Sequence, residues 1–469
     1  MLITAKDIIY TEVEMPEDLF VNEPVDITDE TIRERMKKVY SAMERESLDT
    51  LVIYADREHY GNFKYLCGFA PRFEEALLIV HRSGQNYLML GNEMLGMAAH
   101  SRIMAEAVHT PHFSLPNQPM TEMAFAEILG RVGIVPESYL GVAGWKMFTG
   151  STEDTKQLYD VPFYIVDGLK KLVTEKGQIR NATDIFIHPG YGVRTKVNAN
   201  EIAYFEYGAS LASSRVFHTL NRAAAEMTEM DIAEGLAAFG QPVTVQTICA
   251  GEDRFQNAVV QPRDRKICTG DAISATVGLC GGLTSRKAVM ANGPQDLRKE
   301  DKEYVEEMVK PYFAAAATWY SSICVGKKAG ELYDLIEQCV PKSTYGWTLN
   351  PGHLTGEEEW LSSPVYPGSD IILESGEMLQ MDIILSRKGC KGANAEDGIV
   401  IADASLRKQL KEQYPKVWER MQARRVYMTE KLNIPLHPDV LPLSNTAGYF
   451  RPYILNHEKA MKRLAVSEG

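Results

Sequence analysis

Cysteine is sparse and unpatterned in this 469-residue chain: seven residues, Cys67, Cys249, Cys268, Cys280, Cys324, Cys339 and Cys390, an odd count with no C-x-x-C pair. That argues against a disulfide framework and for reduced thiols in a cytosolic compartment. Positive charge is also in deficit, with 50 Lys and Arg against 63 Asp and Glu and a net charge of −13. A phosphate surface needs clustered cations, so neither nucleic acid nor an anionic membrane is expected as an obligatory partner. Long hydrophobic runs are missing as well. Nothing approaches the roughly 18 apolar residues of a membrane span, and FAAAATWYSSICV is short enough to read as a buried helix. The first twenty residues, MLITAKDIIYTEVEMPEDLF, carry acidic groups where a signal peptide requires an apolar core. The expectation is a soluble cytoplasmic protein.

What is present is ordinary globular composition, 45% hydrophobic and 24% charged, which excludes whole-chain disorder or fibre. The length suggests two or three domains. Residues 29–46 show helical spacing; LDTLVIYA, EALLIVHR and QNYLML then read as strands, AAHSRIMAEA as a helix, and SYLGVAG and FYIVDG as further strands. These make a first α/β domain over residues 1–181. A long amphipathic helix follows, capped by Asn198 or Asn200 with Glu201 in its first turn. Further helices are expected at TEMDIAEGLAAFG (capped by Thr228), over 298–320, at GELYDLIEQCV and around KVWERMQARRV, with a hairpin-like pair in GEMLQMDIIL and EDGIVIAD. This second domain, residues 182–435, is α+β, and 436–469 form a C-terminal extension.

Five segments occur in an order that resembles one family. VRTKVNANEIAYFEYGA is similar to its entry helix, TGDAISATVG to its Gly-Asp strand, NPGHLTGEEEW to its Gly-His-x-x-Gly turn, SGEMLQMDI to a strand ending in an acidic ligand, and NAEDGIVIAD to the strand of the last Glu. With YLCGF in the first domain, the chain resembles the creatinase, prolidase and aminopeptidase P family. The resemblance implies an α/β creatinase-like domain followed by an α+β pita-bread domain. Peptidases of that family hold two divalent metals through two Asp, one His and two acidic residues; bridging carboxylates cancel the repulsion between two dications while a bridging water is activated. Here the match holds at His353, Asp382 (Glu in most relatives) and Glu396, the residual ligand positions. It departs at Thr276, in place of the first Asp, and at Ser285 or Lys287, in place of the second. Family histidines are replaced by Val259 or Val260 in NAVVQPRDR, and after the Gly-His turn by EEEWLSSP.

With bridging carboxylates lost, no metal is expected. The resemblance then implies a creatinase-like, metal-independent hydrolase or lyase acting on a C–N bond of a small polar, cationic metabolite. His353 is its candidate acid or base, Asp382 and Glu396 the binders of the cationic group, and Lys287 the balancing charge. Candidate substrate contacts are Arg72, Glu358, Trp360, Tyr449 and Arg451; Glu359 is an alternative to Glu358 as a substitute base, and packing or surface pairing is the plainer role for Trp360 and Arg72. Tyr449 and Arg451 would close the pocket or a dimer. The alternative is an Xaa-Pro metallopeptidase with one Mn, Co, Zn or Fe ion on His353, Asp382 and Glu396. The second alternative is a non-catalytic binding protein reusing the cleft. A homodimer is expected from the resemblance.

Overall fold

The computed structural model describes residues 2–175, 178–252, 260–387 and 389–465. Its chain contacts define two compact units, Ile27–Thr195 and a second made of Met1–Asp26 with Lys196–Gly469. The division differs from the expected 1–181, 182–435 and 436–469. Ile8–Glu12 pairs antiparallel with Lys459–Arg463, and Val440–Pro442 pairs with Asn394–Ile401. Both chain ends therefore supply strands to the second unit, and 436–469 is no appended tail. Backbone pairing between distant termini leaves no local signature.

The unit Ile27–Thr195 opens with the helix Asp29–Arg45, whose first turn is capped by the Thr28 hydroxyl accepting from Thr31 N–H. Its six-stranded sheet runs in the spatial order Glu106–His109, Asn86–Leu90, Ala76–His81, Thr50–Ala55, Leu140–Ala143, Ile179–Asn181. The Thr50–Ala55 strand is antiparallel to Ala76–His81 and parallel to Leu140–Ala143. All six of its residues are buried, as a continuous apolar run covered on both faces must be. Two expectations fail here. FYIVDG forms the helix Phe163–Lys170, and AAHSRIMAEA splits into a 3-10 turn ending at His100 and an edge strand, Glu106–His109. Short apolar runs suit helix and strand equally, and the packing of Ile165 and Leu169 into the sheet core decided the first.

The second unit is built on a seven-stranded sheet in the order His353–Leu354, Met378–Met381, Asn394–Ile401, Gly282–Val289, Ala272–Leu279, Val243–Gly251, with Val440–Pro442 beside Asn394–Ile401. The helix Ala199–Arg222 packs on it. Asn198 is its cap, accepting from Glu201 N–H while Glu201 accepts from Asn198 N–H. The apolar stretch expected as a buried helix is Lys310–Ser322, with Ala314, Ala315, Trp319 and Tyr320 inside; it starts later than the expected 298–320 because 305–309 form a π turn. No helix of the described residues is long and apolar enough to cross a membrane. No disulfide links the seven cysteines, all of which lie among the described residues.

One group in this frame makes a pH-dependent prediction. Glu377, just before the strand Met378–Met381, is 1% exposed, and neither carboxylate oxygen has a hydrogen-bond partner. Burial lifts its pKa from 4.5 to about 8, against the pull of the Glu374 backbone and Lys196. The folded chain then holds a proton that the unfolded chain has already released, so this group's contribution to stability is fully present below about 4.5 and is lost as pH rises through about 8. At pH 7 the difference is about 3 kcal/mol. Glu377→Gln is expected to raise stability by that order at pH 7 and to flatten the slope between pH 5 and 8 in denaturant titrations. An unchanged slope would place the proton elsewhere.

Candidate active site

Strand alternation assembles the site. Antiparallel pairing sets Thr276 opposite Ser285, Ser285 opposite Glu396, and His353 opposite Gln380. Side chains two residues apart share a face, so His353, Gln380, Asp382, Glu396, Ser285 and Thr276 all project from one side of the sheet. The register places Ser285 at the row of Thr276 and Glu396, and Lys287 one row further on, opposite Ser274 and Asn394. Thr276 and Ser285, which stand where the resemblance leads one to expect two aspartates, thus present a pair of hydroxyls, Thr276 Oγ1 and Ser285 Oγ, 2.7 Å apart and hydrogen-bonded to each other.

His353 is fully buried. Its Nδ1 lies 3.2 Å from the Leu354 carbonyl, which a protonated Nδ1 satisfies, and this turns Nε2 toward the carboxylates. Nε2 is 2.9 Å from Glu359 Oε1 and 3.8 Å from Glu396 Oε1, yet has no acceptor in hydrogen-bonding alignment. These are contacts of charge rather than formed hydrogen bonds. The Trp360 ring, 38% exposed, stacks on the imidazole at 4.0 Å and 22°. Gln380 Nε2 donates to the Leu283 carbonyl at 2.7 Å and sits 3.5 Å from Glu396 Oε1. Asp382 is 5% exposed, and its Oδ1 has no partner.

Three carboxylates thus share a buried space with one imidazole. Burial raises Asp382 to about 6 against the attraction of His353. Burial and then the charge of Asp382 lift Glu396 well above the usual carboxylate range. For His353 burial opposes the imidazolium, but Glu359, Glu396 and Asp382 outweigh it and hold the ring well above the ordinary histidine value. The cluster has an excess of negative charge that must be met by protons or by a cation.

Among the described residues, His353, Glu359 and Glu396 offer one ligand atom each, all within 4.8 Å of one another. That set, with unpartnered atoms on His353 and Asp382, fits one divalent cation. It does not fit two, because the hydroxyls of Thr276 and Ser285 supply no bridging charge. The expectation that no cation binds therefore loses its basis.

Other candidates lie elsewhere. Lys287 is buried; burial lowers its pKa, with Glu252 opposing and Lys391 adding to the effect. It lines a separate cavity of about 290 Å³ with Glu252, Arg298, Asp301 and Lys391, the last paired to Glu252 at 2.9 Å. The charges acting on Asp382 are His353 and Glu359, and those on Glu396 are Asp382, His353 and Glu359, whereas those acting on Lys287 are Glu252 and Lys391. The expected balancing role is corrected accordingly: the lysine sits one row along the strand, among different partners. Tyr449 and Arg451 are also displaced. They border a cavity of about 30 Å³ with Arg286 and Ala288, residues that alternation turns to the opposite face of the sheet from Ser285. They are core, 5% and 7% exposed, and do not close this site.

On that opposite face Arg286 pairs with Asp397 at 2.5 Å and donates to the carbonyls of Glu396 (3.0 Å) and Thr446 (2.9 Å). In the acidic turn it is Glu359 that meets His353, while the carbonyl of Glu358 accepts from Gly356 N–H and the Thr355 hydroxyl. Arg72, in the unit Ile27–Thr195, donates to the Tyr60 hydroxyl at 3.2 Å and lies over its ring, not against Glu74 or Glu75. Val260 accepts from Cys249 N–H through its carbonyl; Val259 lies outside the described residues. Sequence reading missed Gln380, although its place two residues before Asp382 put it on the same strand face.

No family model and no curated protein matches the sequence of this chain. Its structure is similar to a prolidase from Thermococcus sibiricus (TM-score 0.62, 15% identity, covering 79% of this chain and 95% of that one). It is similar also to a Xaa-Pro dipeptidase from Bacillus anthracis (0.60, 15%, 80% and 96%) and to an X-Pro aminopeptidase from Thermotoga maritima (0.58, 15%, 78% and 94%). The chain has the creatinase-like pita-bread fold that these peptidases share.

Proposed function

We propose that the chain is a hydrolase of the Xaa-Pro peptidase type, cleaving a C–N bond in a short peptide at a site reduced to one divalent cation. The observation that carries this reading is the convergence of His353, Glu359 and Glu396 beside Asp382, with a hydroxyl pair where two aspartates would bridge a second ion. The structural relatives named as dipeptidases and aminopeptidases support the same class of reaction. A metal-independent reaction on a cationic metabolite depended on Lys287 balancing Asp382 and Glu396, and that support is gone. A non-catalytic cleft would leave these side chains pointing apart or fully paired; instead they converge with unpartnered atoms.

The buried imidazole and carboxylates would hold the cation, which supplies a Lewis acid and an acidified water when bound. The chain's own groups do the rest. The Leu354 carbonyl fixes the His353 tautomer, and Trp360 holds the plane of the ring and leaves part of its own surface open to a substrate. Gln380 orients Glu396, and Asp382 offers a free oxygen to accept a proton or an amine.

The test is hydrolysis of a panel of proline-containing dipeptides by the wild type and by His353→Ala, in protein loaded with Mn, Co, Zn or Fe. A fall in kcat/KM of at least about 100-fold in the variant is expected. Equal activity of the two proteins, or no cleavage of any peptide under any loading, would end the proposal.

A further inference from the structure

Resting on that one-cation reading, we propose that Glu359 is the third protein ligand, so that the ion sits on His353, Glu359 and Glu396 and Asp382 stands beside it rather than on it. The resemblance in sequence points to His353, Asp382 and Glu396; the geometry points to a different set. Glu359 Oε1 is the carboxylate oxygen nearest to His353 Nε2, at 2.9 Å, and the donor atoms of His353, Glu359 and Glu396 are mutually within 4.8 Å, a group that does not include Asp382.

The turn that carries Glu359 is fixed by its backbone. Leu354 N–H donates to the Ser362 carbonyl at 2.7 Å and Leu361 N–H to the Leu354 carbonyl at 2.9 Å, folding the segment back over His353. Gly356 N–H donates to Glu358 at 2.9 Å, and the Gly356 carbonyl accepts from Gly281 N–H at 2.8 Å, tying the loop to the hairpin that bears Ser285. At its base Gly352 has φ +113° and lies so close to the Gln380 carbonyl and the Trp319 ring that a Cβ would be 2.9 Å from each. Only glycine enters there without displacement. A solvated acidic turn would leave the carboxylate in water, whereas the Glu359 side chain is 17% exposed and aimed at a fully buried imidazole. Two unpartnered buried atoms, His353 Nε2 and Asp382 Oδ1, border the same space.

The chemistry is consistent as well. A cation that has lost the two aspartates of the hairpin strands needs another anionic oxygen, and Glu359 brings it from the turn. One nitrogen and two carboxylates, with open positions, is a donor set suited to Mn, Fe or Zn.

Calorimetric titration of apo protein with Mn and with Zn, together with the visible spectrum of the Co-loaded form, tests the assignment without reference to activity. One ion per wild-type chain is expected, with affinity lowered at least ~100-fold in Glu359→Gln, less in Glu359→Asp, and only ~10-fold in Asp382→Asn; the Co spectrum should change in both Glu359 variants. Both variants must first show the wild-type circular dichroism, and Glu359→Asp keeps the test open if Glu359→Gln does not fold. Wild-type affinity and spectrum in the Glu359 variants, with binding lost in Asp382→Asn, would overturn the assignment and leave the one-cation hydrolase standing. No binding by the wild type would overturn both.

Discussion

Replacing Thr276 and Ser285 together by aspartate is expected to raise the bound divalent cation from one ion per chain to two. The two hydroxyls face each other at 2.7 Å in a row of the sheet that continues to Glu396, so aspartates there would bring two new carboxylates against the existing one. Two dications some 3.5–4 Å apart repel, and carboxylates between them are what permits the pair. The same substitution should make the metal-free protein less stable, because five acidic groups would then crowd one imidazole. An isolated buried charge costs several kcal/mol. Added Mn should restore stability in proportion to RT ln(1 + [L]/Kd). Elemental analysis after gel filtration and thermal melts with and without Mn check both halves. A stoichiometry that stays at one, with a melt insensitive to added metal, would show that the missing aspartates are not what limits the site.

The second large effect lies behind the site. Arg286→Met is expected to cost about 3–5 kcal/mol, because it strands the carboxylate of Asp397 in a fully buried position. Asp397 accepts from the hydroxyls of Thr284, Ser444 and Thr446, none of which neutralises it. Arg286→Met with Asp397→Leu should recover part of the loss, since the pair is removed as a unit, although those three hydroxyls then lose an acceptor. Urea titrations with an unchanged m-value give the comparison. A loss below about 1 kcal/mol in the single variant would mean that the pair contributes little beyond its packing. Arg286 also holds the Glu396 carbonyl, so the single variant should loosen the strand from which Glu396 projects toward His353.

Glu396 and Asp397 are adjacent in EDG, ahead of the unbroken apolar run IVIA, so the sequence pattern does not say which of the two faces the cleft. The resemblance of NAEDGIVIAD to the family's last Glu strand singled out Glu396, and strand pairing sets it opposite Ser285 while Asp397 turns to the reverse side. His353 and Asp382 were likewise singled out by the resemblance, through the Gly-His turn and the strand SGEMLQMDI. The residue facing Thr276 was not legible. Whether Ser285 or Lys287 faces Thr276 depends on the length of the β-turn at Cys280 and Gly281, a matter of two residues that spacing does not decide and pairing does. Tyr449 and Arg451 were misplaced because a buried aromatic and a buried arginine look the same in sequence whichever side of a sheet they pack on.

The sequence alone determined the long helix capped at Asn198, the buried helix around Trp319 and the strands around Met378 and Glu396, together with the resemblance to pita-bread enzymes, because periodicity and motif spacing are local properties of the chain. Tertiary structure alone decided that both termini join the second unit, that Lys287 answers to Glu252 and Lys391, and that Glu359 lies against His353. Each of these is a meeting of segments whose approach is set by strand register and turn geometry, and no single segment carries that information.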